Sequence, residues 1–315
     1  MSDEPSLPWL PKLVRQKAAS RGKQGEAWLA GLPELIAHLE ARWSMTVGEA
    51  LPGGTAAFVA RARMAGGGEA VLKVALPDPG FRSQAQVLER ARGRGYVRLL
   101  GSALEHHAIL LEALGPSLEQ LAMPAERQLG TLSAMLLRAW EVPPWVEPTR
   151  TAVEAKAREL HALVSRLWVE LGRPCSETVF SQALLFAERR AAAAEPERAV
   201  LVHGDPHAAN ALQVMTPRAG AEPGFVFVDP DGFLAEPAYD LGVVLREWSS
   251  ELLAGDAPQV ARRYCRLLAG HTDVEEQAIW EWGFLERVSS GLYALSFGAE
   301  ALGRPFLVTA ERLLD

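Results

Sequence analysis

The chain has 315 residues, 49% of them hydrophobic and 23% charged, with a formal net charge of −7. That is room for two compact units or one large one, and it is too apolar for a disordered chain. No apolar run approaches the length of a membrane span, and the acidic balance argues against nucleic acid as a partner. The N-terminal stretch has no apolar signal core, and Cys175 and Cys265 stand apart without a paired pattern. Both features point to a cytoplasmic chain with reduced core thiols. The excess of acid suits a cationic small molecule, and a monomer is favoured.

Residues 1 to about 45 read as helical. In "AWLAGLPELIAHLEARW" the apolar residues Trp28, Leu32, Leu35, Ile36 and Leu39 recur at helical spacing. Residues 46–114 read as four or five strands with one inserted helix. Two β-type runs, 57–63 and 70–75, flank the turn at Gly66-Gly67-Gly68, and a second glycine turn, Gly53-Gly54-Thr55, precedes this hairpin. "RSQAQVLERARG" returns to helix and ends at Gly93, and "YVRLLGSALEHHAILLEAL" adds two strands. Past Gly115-Pro116 the spacing is helical in "SLEQL", "ERQLGTLSAMLLRAW", "TAVEAKARELHALVSRLWVEL" and "SETVFSQALLFAERRAAAAEPERA". Short β-like segments interrupt it, "AVLVHGD" with "ALQVM" and then "GFVFVDPDG", before helices resume at Tyr239. The expected fold class is α+β and bilobal. A small β-rich N-lobe with the leading helices fills 1–112, a hinge lies near 112–116, and a larger helical C-lobe fills 113–315.

The stretch "LVHGDPHAAN" sets His203, Asp205 and His207 at every second position, on one side of an extended chain. It reads either as a metal cluster or as a catalytic loop. A zinc hydrolase needs three or four converging ligands. The chain has seven histidines, and no second pair stands at ligand spacing near this loop. His106 and His107 are adjacent, so on a strand they face opposite ways. Phosphoryl transfer from ATP is mostly positioning and charge neutralisation. It needs a lysine on the phosphates, a carboxylate near the acceptor hydroxyl, and oxygen ligands for magnesium. Kinase loops have the form H-x-D-x-x-x-x-N, with a separate metal-binding Asp further on. Here Asp205 and Asn210 have that spacing, Asp229 follows an apolar strand, and "AVLKV" puts Lys73 on a strand after the glycine-containing hairpin. Asp231 reads as a metal ligand or a solvated turn residue.

With these motifs in register, the chain resembles the aminoglycoside phosphotransferase family of the kinase-like superfamily. "HGDPHAAN" resembles that family's catalytic loop and "VDPDGFLAEPAYDLG" its metal-binding segment. "LPGGTAAFVARAR", "AVLK" and "GRGYVRLLG" narrow the resemblance to the streptomycin 6-phosphotransferase and hydroxyurea phosphotransferase subgroup. The resemblance spans roughly residues 25–300 and implies a protein-kinase-like fold. It implies Asp205 as catalytic base, Asn210 and Asp229 on Mg²⁺, and Lys73 on the α/β-phosphates of ATP. It implies a hinge over Glu112 to Leu114 that pairs with adenine, and a phosphate loop of Gly53, Gly54 and Thr55. It also implies that Asp240 braces the catalytic loop, with His203 as its structural anchor and His207 stabilising it.

One position departs from the pattern. The phosphate lysine usually pairs with a glutamate on the inserted helix, and here Gln84 stands in that place. Gln84, Leu88 and Ala91 share one helix face, and Glu89 points about 140° away. Either Gln84 contacts Lys73 as a neutral partner, or another acid does. The expected activity is transfer of the γ-phosphoryl group of Mg·ATP to a hydroxyl of a small polar acceptor, an aminoglycoside such as streptomycin, in antibiotic resistance. The alternatives are a kinase of another metabolite, such as an amino sugar or choline-like alcohol, and a nucleotide-binding pseudokinase. Glu236, Glu247 and Glu251 are candidate acceptor-site carboxylates.

Overall fold

The structure is a computed structural model that describes residues 9–52 and 56–314. The expected phosphate loop, Gly53, Gly54 and Thr55, lies outside the described residues. Helices α1 (Lys12–Ala19) and α2 (Lys23–Trp43) lead into β1 (Met45–Ala50), β2 (Ala57–Met64) and β3 (Glu69–Ala75). Then come α3 (Phe81–Ala91), β4 (Leu99–Ala103) and β5 (Ala108–Glu112). The five strands form one antiparallel sheet in the order β1-β2-β3-β5-β4.

Side chains alternate across a strand, and both faces of this sheet are used. Phe58, Ala60 and Ala62 of β2 and Ala70, Leu72 and Val74 of β3 form one cluster with Leu32 and Leu39 of α2. Lys73 lies between Leu72 and Val74, so it projects to the opposite face. There α3 packs through Phe81, Ala85 and Leu88 in a core that includes Ala75, Ile109 and Leu111. Gln84 is buried on the inward face of α3, and Glu89 is exposed on its outer face.

The chain beyond Glu112 docks directly on the later β segments. Gly115 N donates to Gln213 O at 2.8 Å and Leu118 N to Ala211 O at 2.7 Å. The "SLEQL" stretch makes only a 3₁₀ turn over Glu119–Leu121, because Ser117 is already bridged to Leu212 and the chain is held extended up to it. Helices α4 (Ala125–Ala139), α5 (Arg150–Glu170) and α6 (Glu177–Ala192) follow. Thr149 and Ser176 cap α5 and α6 by accepting from Ala152 N and Val179 N. The C-terminal helices are α7 (Ala238–Arg246), α8 (Ser249–Ala254), α9 (Ala257–Thr272), α10 (Glu276–Ser296) and α11 (Glu300–Arg312). Helix α10 is buried nearly all round, with Trp282, Phe284, Leu285, Val288 and Leu292 packed inside beside the buried charges Glu281, Glu286 and Arg287, and it forms the axis of this half. Gly242 lets α7 approach it closely, since a Cβ there would run into Trp282.

Four three-residue strands set the site. β6 (Val200–Val202) pairs with β9 (Phe233–Ala235), and β7 (Ala211–Gln213) pairs with β8 (Phe225–Phe227). The 203–210 loop joins β6 to β7, and the 228–232 segment joins β8 to β9. Both connections therefore emerge side by side. They are stitched together by Asp231 N to His203 O at 2.8 Å and Val228 N to Asn210 O at 2.9 Å. Among the described residues no helix is long and apolar enough to cross a membrane.

Candidate active site

The 203–210 loop is built on a buried carboxylate. Asp240, near the start of α7, accepts from His203 N, Gly204 N and Trp140 Nε1, each at 2.9 Å. Gly204 has φ +95°, and a Cβ there would lie 2.7 Å from the Asp231 Cβ, so the turn requires glycine. Burial pushes the Asp240 carboxyl up to about 6, against the pull of its backbone donors. Its loss would orphan two buried N–H groups at about 1–3 kcal/mol each.

His203 is fully buried and stacks on Tyr96, with Phe227 tilted against it. Nε2 lies 2.9 Å from Val228 O, and Nδ1 accepts from Asp205 N at 3.1 Å. Both ring nitrogens are therefore spent on the loop, which leaves none for a metal. Among the described residues no three His, Cys, Asp or Glu side chains converge as a metal cage. Burial lowers His203 from 6.5 to about 4. The unfolded chain thus takes up this proton before the folded one, and stability is lost as pH falls from 6.5 toward 4. The stability gap between the native protein and His203→Gln should narrow over that window, by up to roughly 3 kcal/mol. Denaturant melts of both proteins at several pH values check this, and a constant gap would contradict it.

Asp205 lies between Arg246 and His207. Arg246 Nη2 donates to its Oδ1 at 2.8 Å, and His207 Nε2 lies 3.2 Å from its Oδ2. Burial opposes the charge of Asp205, yet His207 and Arg246 hold it far below the usual carboxylate range. Burial likewise opposes an imidazolium at His207, and Asp205 more than offsets it, so His207 titrates above its ordinary value. Arg246 closes α7 and also reaches Glu247, Glu286 and Ser290. Sequence reasoning passed over Arg246 and Trp140, whose partners lie 41 and 100 residues away.

Lys73 Nζ donates to Asp229 Oδ1 at 2.7 Å, and Gln84 Nε2 lies 3.4 Å from the same oxygen. Of the two expected arrangements, the acid beside Lys73 is Asp229 rather than a residue of α3. Asp229 has φ +57°, a left-handed conformation that few non-glycine residues adopt and that re-aims its carboxylate at the end of β8. Asn210 donates Nδ2 to Asp205 O at 3.0 Å, which leaves its amide oxygen as the group able to meet a cation. Asn210 and Asp229 thus offer hard oxygen donors on adjacent loops. That set suits magnesium, which takes one or two protein oxygens and fills its octahedron with phosphate and water. Asp231 keeps part of its surface in solvent at the turn, but the protein packed around its carboxyl, together with nearby Asp205, pushes it up to about 6.

At the expected hinge, the Glu112 side chain is bound by Arg218 and by Arg98 N, and its own N–H goes to Arg98 O. Arg218 also ties down the carbonyls of Gly93 and Tyr96. Leu114 packs against the main core. Beyond the loop lies a cavity of about 400 Å³ lined by His207, Ala208, Glu119, Glu247, Trp248 and Glu251, among others. Two of the three expected acceptor carboxylates are there, joined by Glu119. Glu236 is not. It receives Trp282 Nε1 at 2.8 Å and pairs with Arg190, so it serves the helical core instead.

The family model for aminoglycoside/hydroxyurea antibiotic resistance kinases matches residues 42–298. A streptomycin 6-kinase of Streptomyces griseus is 28% identical over 305 residues, 96% of this chain and 95% of that protein. A hydroxyurea phosphotransferase of Kitasatospora aureofaciens is 28% identical over 307 residues, covering 96% and 85%. Among solved structures, an ethanolamine kinase of Plasmodium vivax superposes with a TM-score of 0.57 at 13% identity, over 92% of this chain and 85% of that one. An aminoglycoside phosphotransferase of Streptomyces rimosus, solved with ADP and streptomycin, superposes with a TM-score of 0.53 at 16% identity, covering 82% and 98%. The fold is the bilobal kinase-like one that the sequence resemblance implies.

Proposed function

The chain belongs to the aminoglycoside/hydroxyurea antibiotic resistance kinase family, and from that premise we propose that it moves the γ-phosphoryl group of Mg·ATP to a hydroxyl of a cationic aminoglycoside, streptomycin foremost. The observation that carries the acceptor class is the cavity that begins at His207, the neighbour of Asp205, where Glu119 and Glu251, with the Arg246-paired Glu247, line a space of about 400 Å³. In this reading residues 1–112 form the nucleotide lobe and 113–315 the acceptor lobe. The protein acts as a cytoplasmic monomer, where ATP is at hand.

Each side chain has a role in the reading. Lys73 holds the α/β-phosphates, the hinge backbone from Glu112 to Leu114 pairs with adenine, and the phosphate loop is assigned to Gly53, Gly54 and Thr55. Asn210 and Asp229 hold magnesium, which when bound neutralises phosphate charge and fixes the phosphates in place. Asp205 orients the acceptor hydroxyl. With one oxygen held by Arg246, Asp205 aims the acceptor oxygen and receives its proton. That suits a loose transition state, in which the incoming oxygen needs little activation.

Gln84 favours one rival, the pseudokinase, because it leaves Lys73 without the usual carboxylate on α3. Gln84→Glu supplies that carboxylate at nearly the same shape. A charged pair restrains a lysine more strongly than a neutral amide does. The variant should tighten Mg·ATP binding severalfold and keep the fold, with a small loss in melting temperature because the new carboxylate faces Asp229, as titration calorimetry and a thermal scan would read. No change in affinity would mean that Gln84 does not govern Lys73.

The function itself is tested by mass spectrometry of streptomycin, other aminoglycosides, hydroxyurea and ethanolamine after incubation with Mg·ATP. A phosphate added to streptomycin is expected. Phosphate on neutral acceptors alone would overturn the acceptor class, and none on any acceptor would favour the pseudokinase.

A further inference from the structure

We propose that Arg246 is a positioning residue for the transfer: it grips one oxygen of Asp205 and so turns the other toward the acceptor cavity. The inference rests on Asp205 addressing the acceptor hydroxyl, as read above.

The guanidinium is itself held rigidly. Tyr239 and Arg246 lie seven residues apart on α7, two turns along one face. Both reach Glu286 on α10. Tyr239 OH donates to Glu286 Oε1 at 2.7 Å, and Arg246 Nη1 donates to Oε2 at 3.1 Å. Glu286 is 4% exposed and sits on α10, which is buried along most of its length. Arg246 Nε meets Glu247 Oε1 at 2.9 Å, and Nη2 is left for Asp205 Oδ1 at 2.8 Å. A planar fork with its donors assigned in this way fixes direction as well as charge. Glu247 on one side and His207 on the other both line the acceptor cavity. With Oδ1 taken by Arg246, the oxygen of Asp205 beside His207, and so beside that cavity, is Oδ2. Burial opposes the charge of Arg246, but Glu247, Glu286 and Asp205 hold it above the ordinary guanidinium value.

The rival account is that Arg246 only neutralises Glu286. Two variants separate the accounts, Arg246→Gln alone and Arg246→Gln combined with Glu286→Gln, which removes both buried charges together. Positioning predicts that the double variant melts near the native temperature while kcat stays down by roughly 10²-fold, the scale of a small misplacement at a reacting centre. KM for ATP should stay within threefold. Arg246→Lys, a point charge without the fork, should recover the melting temperature but only part of kcat. Native kcat in the double variant would overturn the proposal, as would a rise in KM for ATP that accounts for the whole loss. Each protein is assayed with streptomycin and also for ATP hydrolysis without acceptor, where Asp205 would orient water. Native protein that ignores streptomycin but hydrolyses ATP would sink the acceptor assignment, and the Arg246 comparison is then decided on hydrolysis.

Discussion

Asp205→Ala should lower turnover by roughly 10²–10⁴-fold, the usual contribution of a group that handles the proton of a reacting hydroxyl, while the protein still folds and binds Mg·ATP. The fold survives because Arg246 keeps two carboxylate partners, Glu247 and Glu286, when Asp205 is gone. The loop survives because its shape depends on Asp240 and His203, which the change does not touch. Binding survives because Lys73, Asn210 and Asp229 keep their side chains. Steady-state kinetics on a verified acceptor, with calorimetry of nucleotide binding alongside, gives the answer. Turnover within a few-fold of native would take Asp205 out of the mechanism.

The second large effect belongs to Asp229, and the choice of variant matters. Its φ of +57° makes alanine a poor probe, since strain would mix with lost chemistry. Asparagine accepts that conformation more readily and keeps the shape while removing the charge. Asp229→Asn should abolish the Mg²⁺-dependent part of nucleotide affinity. It should also cut turnover by at least roughly 10²–10³-fold, the cost of losing one preorganised electrostatic contact. Titrations of ATP with and without Mg²⁺ read the first effect. If affinity and its Mg²⁺ dependence matched the native protein, the metal would have to sit elsewhere.

The layout of the fold was readable where periodicity is long or spacing is tight. The helical face of Leu32 and Leu39 and the hairpin around Gly66 to Gly68 are such cases. The spacing of Asp205, Asn210, Asp229 and Lys73 was readable too, and the structure brings these residues to one cleft. Strand β9 was not readable, because three residues, Phe233–Ala235, carry no period of their own and exist as a strand only by pairing with β6. Arg246 was not singled out, because a basic residue at the end of a helix is a common and usually solvated feature. Only the tertiary approach of α10 and the 203–210 loop turns it inward. Glu236 misled for the converse reason. An acidic residue after the metal segment looks available until Arg190 and Trp282 arrive from distant helices. Burial of single charges is decided by contacts that span the chain, which no local pattern records.

The contact between Lys73 and Asp229 has a consequence for selectivity. Each residue serves as the other's counter-ion, so the cleft does not offer a bare cation to every phosphate or sulfate in solution. An anion that takes Lys73 strands the charge of Asp229, and a cation that takes Asp229 strands Lys73. A ligand carrying both signs at once can exchange both partners in a single step. With Lys73 on phosphate and Asp229 on magnesium, as proposed, the site would discriminate against free inorganic anions and metal-free nucleotide by electroneutrality, before shape is read.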